Sequence, residues 1–331
     1  MTEAGLDTSA IDSLEAFELG GPRQWGLIRG QSRIAPVLLM VQAGPGLPMI
    51  HEADAHQRQL GLEQHFRVVY WDQPGTGKSF VPRANGSLTV ASMVAGFRSM
   101  IRATCERLRV SSLHLVGFSF GASLALLAAA EEPERVRSLT CVGVDVDLLE
   151  AERFAYAFAR GQAERRGHRR AQRALSAIGE PPHDVRQFST RVKWVANFGG
   201  VHRSKTFGGL LRTTVARLWR SPHYSLPEMV RALRALEATP ARVLPALRGF
   251  NLLAHELRVP APLAVFQGRH DIAAPPALSA DLAARLGARL VWFERSAHMP
   301  HEEEPGRFRE ELLRFIRDAG DANREGSRAK G

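Results

Sequence analysis

Short apolar runs at residues 36–42, 66–72, 113–118 and 136–144 are separated by stretches with helical spacing at 49–64, 88–108 and 122–130. Apolar runs without polar alternation suit strands covered on both faces. Strands alternating with helices therefore predict an α/β fold with a mostly parallel, doubly wound sheet. Ahead of them, 14–19 and 25–29 flank Gly20-Gly21-Pro22 and read as a hairpin.

The alternation stops over residues 150–256, which are Arg-rich, helical in tendency and interrupted by Pro181, Pro182, Pro222, Pro227, Pro240 and Pro245. It resumes with strands at 262–267 and 290–294 and helices at 277–286 and 307–317. The expected organisation is one sheet domain, residues 1–147 and 257–318, carrying an inserted helical cap at 148–256. Residues 319–331 read as a polar tail that frays.

Charge follows the same division. The chain has 44 Lys and Arg against 34 Asp and Glu, a formal +10, and residues 151–259 alone hold 20 basic and 7 acidic residues. A basic field attracts polyanions. Here, however, 40 of the basic residues are Arg and 4 are Lys, which points to compositional bias as much as to a partner. Arg165, Arg166, Arg169, Arg170 and Arg173 share one helix face with no aromatic residue among them. That stripe reads as a solvated outer face, and nucleic acid is not an expected partner.

Cys105 and Cys141 each lie in an apolar stretch, as buried free thiols of a reducing compartment do. The first twenty residues lack a basic and apolar leader, and the longest apolar run, 124–130, is too short to span a bilayer. The expectation is a soluble, cytoplasmic chain with no membrane span.

Chemistry concentrates in three places. Gly117-Phe118-Ser119-Phe120-Gly121 joins an apolar strand to an Ala-rich helix. In such a turn the glycines let strand and helix backbones approach, and the central serine is pushed out as a nucleophile. A serine hydroxyl needs a base, and the base an orienting acid. His298 follows the last strand and Asp271 the one before it, so Ser119, Asp271 and His298 form the candidate triad. Asp145, also just past a strand, is the competing acid. Oxyanion donors are expected from the amides of Phe120 and of Gly44 in Gln42-Ala43-Gly44-Pro45-Gly46.

These segments resemble the prolyl iminopeptidase family. The 42–46 loop is similar to its His-Gly-Gly-Pro-Gly loop, Asp72-Gln73-Pro74-Gly75-Thr76-Gly77-Lys78-Ser79 to its Asp-Gln-Arg-Gly-x-Gly-x-Ser segment, and 117–121 to its elbow. Gly268–Asp271 and His298-Met299-Pro300 complete the pattern. The resemblance implies an α/β-hydrolase core with a helical cap over a serine triad, working without a cofactor. Gln42, Ala43, Pro74, Phe118 and Phe120 depart from the family pattern. Family aminopeptidases hold the substrate amine with cap carboxylates, and this cap is acid-poor.

Two other motifs are set aside. Gly75-Thr76-Gly77-Lys78-Ser79 lacks the leading glycine of a P-loop, where Asp72 stands. His51 and His56, five apart, diverge on a helix, so no metal is expected. Of the cap aromatics, Phe154, Phe158 and Trp194, together with Phe118, are the candidate pocket lining. The expected function is hydrolysis of an ester, lactone or amide of a small, partly apolar substrate through an acyl-enzyme. The alternatives are an iminopeptidase acting on short peptides, a cofactor-free perhydrolase and a non-catalytic ligand-binding protein. The sequence carries no signal of oligomeric state.

Overall fold

The computed structural model describes residues 9–44, 46–82 and 88–328, with backbone alone from 322. Eight strands form one sheet: β1 (Ile11–Phe17), β2 (Gln24–Gly30), β3 (Val37–Val41), β4 (Arg67–Asp72), β5 (Leu113–Phe118), β6 (Val136–Val142), β7 (Leu263–Gly268) and β8 (Arg289–Phe293). Their order is β1-β2-β4-β3-β5-β6-β7-β8, antiparallel for the first two pairings and parallel from β4 to β8. Every residue of β3, β4, β5 and β7 is buried, as strands covered on both faces require.

The helices are α1 (Ala53–Leu60), α2 (Val90–Leu108), α3 (Phe120–Glu131), α4 (Leu148–Arg165), α5 (Arg169–Ile178), α6 (Val185–Asn197), α7 (Phe207–Arg220), α8 (Leu226–Val243), α9 (Pro276–Leu286), α10 (Pro300–Glu303) and α11 (Pro305–Arg328). One apolar layer packs α2, α3 and α9 on the sheet, and another packs α1 and α11 on the opposite face. Helices α4 to α8 lie between β6 and β7 in sequence, and α4, α5 and α6 share a small apolar core of their own. Among the described residues no helix is long and apolar enough to cross a membrane.

Two helix ends differ from expectation. Pro240 does not cut the chain but sits inside α8, three residues before its end. Its missing N–H removes one ladder bond, in a turn where the helix is already ending. At the C-terminus, α11 runs to Arg328, so residues 319–328 of the expected polar tail continue a helix whose first turns are anchored by buried Phe308, Leu312 and Phe315, while 329–331 lie outside the described residues. The five arginines expected on one helix face are solvent-exposed but divided by the turn at Gly167–His168, Arg165 and Arg166 closing α4 and Arg169, Arg170 and Arg173 lying on α5; both cysteines are buried free thiols.

The connections to the inserted helices are polar and specific. Asp72 is fully buried; its Oδ1 accepts from the amides of Met49 (2.6 Å) and Ile50 (3.0 Å), and its Oδ2 from the amide of Lys78 (2.8 Å) and the hydroxyl of Tyr224. Lys78 reaches the same helices, with Nζ 2.6 Å from Glu228 and 2.7 Å from the carbonyl of His223. The P-loop-like segment is thus a strut between sheet and insertion.

Candidate active site

Chain order reverses in the sheet at β3, which has β4 on one side and β5 on the other. The carboxyl ends of the strands flanking such a switch point form a crevice where α/β sheets hold ligands. Register fixes what stands there. Val41 pairs with Gly117, and Phe118 with Val142, so the loops after β3, β5 and β6 begin side by side.

Ser119 occupies the turn between β5 and α3 with φ 50° and ψ −128°, a left-handed conformation strained for a side-chain-bearing residue. Its amide donates to Val142 O over 2.8 Å. The neighbouring glycines are steric requirements. A Cβ on Gly117 would lie 2.6 Å from Ala122 Cα, and one on Gly121 2.0 Å from the carbonyl oxygen of Gln42. The start of α3 is therefore pressed against the loop after β3. Gly44, with φ 58°, and Phe120 line one cavity together with Ser119.

Asp271 and His298 come from the loops after β7 and β8. The Oδ1 of Asp271 accepts from the amides of Ala273 (2.8 Å) and Ala274 (2.9 Å); Oδ2 accepts from Gln267 Nε2 (3.2 Å) and lies 2.8 Å from His298 Nδ1. With a carboxylate as its partner, Nδ1 is the donor, and in the neutral imidazole Nε2 is left to accept. Burial disfavours the imidazolium, but the charge and hydrogen bond of Asp271 outweigh it. Asp145 and Glu303 add to this, lifting His298 to about 9. A Cβ on Gly143 would lie 2.9 Å from His298 Nδ1, so the pair rests against the residue following Val142, which holds the Ser119 amide.

The serine itself points elsewhere than the sequence suggests. Ser119 Oγ donates to Asp145 Oδ2 over 3.2 Å, and no hydrogen bond from it to His298 is present among the described residues. Asp145 is half-buried, and among the described residues no backbone amide donates to its carboxylate. Desolvation raises it to about 6, with the Asp271 charge adding and His298 and the Ser119 hydroxyl opposing.

The cavity, of about 330 Å³, is walled on the sheet side by Gly44, Ser119, Phe120 and Asp145 and on the other by the inserted helices. Helix α4 contributes Leu148, Ala151, Glu152 and Ala155, and α6 contributes Phe188, Arg191, Val192 and Val195, each set being one helical stripe. None of the four expected pocket residues belongs to the lining. Phe118 faces the opposite layer, 4.6 Å from the His301 ring and stacked near Phe308. Trp194 stacks on Phe198 and Phe158 packs in the same cluster, while Phe154 is solvent-exposed. The offset is physical: 154 and 194 lie off the stripes that face the cavity, and 158 lies a turn beyond the last α4 residue that lines it. Glu152, His183 and Arg191 went unnoticed in the sequence. Their one signal is the position of 191 on the same stripe as the apolar 188, 192 and 195.

The chain matches the model of the α/β-hydrolase fold family over residues 36–305. It belongs to that family and is a hydrolase of the superfamily. More particularly, it is 27% identical over 318 residues to the probable aminopeptidase YbaC of Bacillus subtilis (strain 168), covering 94% of this chain and 98% of that one. It is 26% identical to a proline iminopeptidase of Levilactobacillus brevis, over 86% of this chain and 89% of the relative. The crystal structure of a Mycobacterium smegmatis proline iminopeptidase superposes with a TM-score of 0.64 at 20% identity, over 94% of this chain and all of the other. The resemblance to prolyl iminopeptidases and the α/β-hydrolase architecture expected from the sequence are thus present.

Proposed function

We propose that this hydrolase works through an acyl-enzyme, with Ser119 as nucleophile, His298 as general base and Asp271 fixing the imidazole tautomer. The observation that carries this reading is the strained Ser119 turn at the head of α3, in a cavity shared with Gly44 and beside the 2.8 Å His298–Asp271 pair. Rotation about the Ser119 Cα–Cβ bond exchanges Asp145 for His298 as acceptor. His298 Nε2 then takes the proton as Oγ attacks the carbonyl. The amides of Phe120 and Gly44 donate to the resulting oxyanion, aided by the positive end of α3. The imidazolium returns its proton to the leaving group, and water repeats the sequence to release the acid. Residues 148–256 act as a cap over this cavity, and residues 1–147 and 257–318 supply the catalytic framework.

The walls support one substrate class over the other. They are mainly apolar, and Glu152, the one carboxylate of the inserted helices there among the described residues, is engaged by Arg191 at 3.0 Å. An aminopeptidase needs a free carboxylate for the substrate amine, so an ester, lactone or amide of a small, partly apolar acyl group fits better than an N-terminal proline peptide. The relatives' names keep the peptide reading as the second candidate.

A fluorophosphonate probe tests the chemistry. It should attach to Ser119 in the wild type and fail to attach in Ser119→Ala and His298→Ala. Labelling that survives His298→Ala would remove the base from the scheme. A panel of acyl esters, lactones and prolyl amides then ranks the substrate classes.

A further inference from the structure

The cavity contains a cation that the proposed chemistry does not use. Arg191, on α6, is 4% exposed, and its guanidinium lies 5.1 Å from the Phe188 ring, both residues being part of the cavity wall. Its Nη1 lies 3.0 Å from Glu152 Oε1 and 2.8 Å from His183 Nδ1. His183 Nε2 is 2.9 Å from the carbonyl of Gly179. A carbonyl only accepts, so Nε2 carries the imidazole proton and Nδ1 must accept from Arg191. The other oxygen of Glu152 accepts the amide of His183 at 3.2 Å.

Both protons of Nη1 are therefore committed, one to Glu152 and one to His183. The Nε and Nη2 groups make no hydrogen bond among the described residues. They form the edge of a guanidinium whose parallel N–H groups match the two oxygens of a carboxylate. An edge with no protein partner beside mostly apolar walls is free to donate, and a carboxylate that meets it gains two parallel charge-assisted hydrogen bonds. The pinning by Glu152, His183 and Phe188 holds the guanidinium in one orientation, so little side-chain entropy is lost when the ligand arrives. Arg248, exposed at the same cavity and without an ion-pair partner among the described residues, supplies a second positive charge. With it, a bound anion leaves the Glu152–Arg191 pair electrically balanced.

We propose that Arg191 is a specificity-determining residue that binds a carboxylate on the substrate through its Nε and Nη2 edge. The preferred substrates are then small acyl compounds with an apolar middle and an anionic end held away from the carbonyl that Ser119 attacks. This rests on the reading of the cavity as the hydrolytic site, and it deepens that reading by naming the chemical class admitted.

The test compares two p-nitrophenyl esters of equal chain length, the neutral hexanoate and the mono-ester of adipate, which ends in a carboxylate. The ratio of kcat/KM, adipate over hexanoate, should be at least about tenfold in the wild type, the scale of one hydrogen-bonded charge pair. It should fall to unity or below in Arg191→Gln. Because Arg191→Gln leaves Glu152 unpaired, the double variant Glu152→Gln/Arg191→Gln and the charge-retaining Arg191→Lys are measured beside it. The double variant should also lose the preference, and Arg191→Lys should keep only part of it. A wild-type ratio near one, or a ratio that survives in Arg191→Gln or the double variant, overturns the proposal. Binding is read separately by calorimetry on Ser119→Ala with monomethyl adipate and methyl hexanoate. If neither ester is hydrolysed and Ser119 is not labelled, the serine mechanism fails. The calorimetric difference, and its loss in Ser119→Ala/Arg191→Gln, then decides the carboxylate site alone.

Discussion

Ser119 Oγ donates to Asp145 Oδ2 over 3.2 Å, and Asp145 in turn helps to hold His298 positive. The same carboxylate thus occupies the nucleophile and strengthens the base's hold on its proton. Nucleophilic attack requires the neutral imidazole, and His298 is lifted to about 9 in the free protein. The value of kcat/KM for an ester should accordingly rise with pH to a midpoint near 9. Asp145→Asn removes one of the negative charges and should move that midpoint down, by about one unit or less. A midpoint unmoved by the substitution would disconnect Asp145 from the base. Stability carries the opposite sign. The contribution of protonated His298 is complete below the ordinary value of about 6.5 and is lost as pH rises through about 9.

Strain at the nucleophile should be measurable as stability. Ser119 holds φ 50°, a region that glycine enters freely and alanine does not. Both Ser119→Ala and Ser119→Gly should abolish turnover, but Ser119→Gly should be the more stable of the two by about 1 kcal/mol. Equal denaturant midpoints for the two variants would show that the turn stores no strain.

Packing at the elbow leaves no room for one methyl group. Gly121→Ala places a Cβ 2.0 Å from the Gln42 carbonyl oxygen, in contact with backbone that cannot rotate away. The substitution should cost about 3 kcal/mol or more, at the upper end for overpacking. It should also separate the Gly44 loop from α3, so any folded protein that remains should show a fall in kcat larger than the rise in KM.

Helix α7 and the residues just before it are fastened to the sheet domain by half-buried charges. Arg217 pairs with Glu52 and, at 2.7 Å, with Glu302; Lys205 lies 2.5 Å from Glu302. Burial opposes the charged form of Glu302, but His301, Arg217 and Lys205 lower it to about 2, and His51 with Arg217 depresses Glu52 likewise. These depressed carboxyls contribute stability above the ordinary carboxylate value of about 4.3, lost as pH falls toward about 2. Arg217→Ala leaves Glu52 without its arginine and Glu302 with Lys205 alone, and should cost about 3 kcal/mol or less at neutral pH, below the range for a fully buried pair. The loss should shrink in acid, which thermal melts at pH 7 and pH 3 would reveal.

The elements legible in the sequence were those with one dominant local signal. The apolar run at β5 was read at its exact limits, Leu113–Phe118, because both of its faces are covered and the following glycine-bounded turn ends it. The weaker 49–64 stretch resolved into α1 between two 3-10 turns, with Gly61 at φ 60° closing the helix, a break that helical periodicity alone does not mark. The pocket was least legible. Phe154, Phe158 and Trp194 were chosen by type, and burial in a cap depends on which stripe of each helix meets the cavity.

Chain order and turn chemistry alone determined the alternating framework, the Gly117–Gly121 turn with Ser119 at its centre, and Asp271 and His298 at strand ends, because each depends on neighbours within a few residues. Only the tertiary structure decided that Ser119 rests on Asp145, that Lys78 and Asp72 brace the inserted helices, and that Arg191 lines the cavity beside Glu152. Those relationships join residues from 26 to 152 positions apart, and long-range packing, not local pattern, sets which side chains meet.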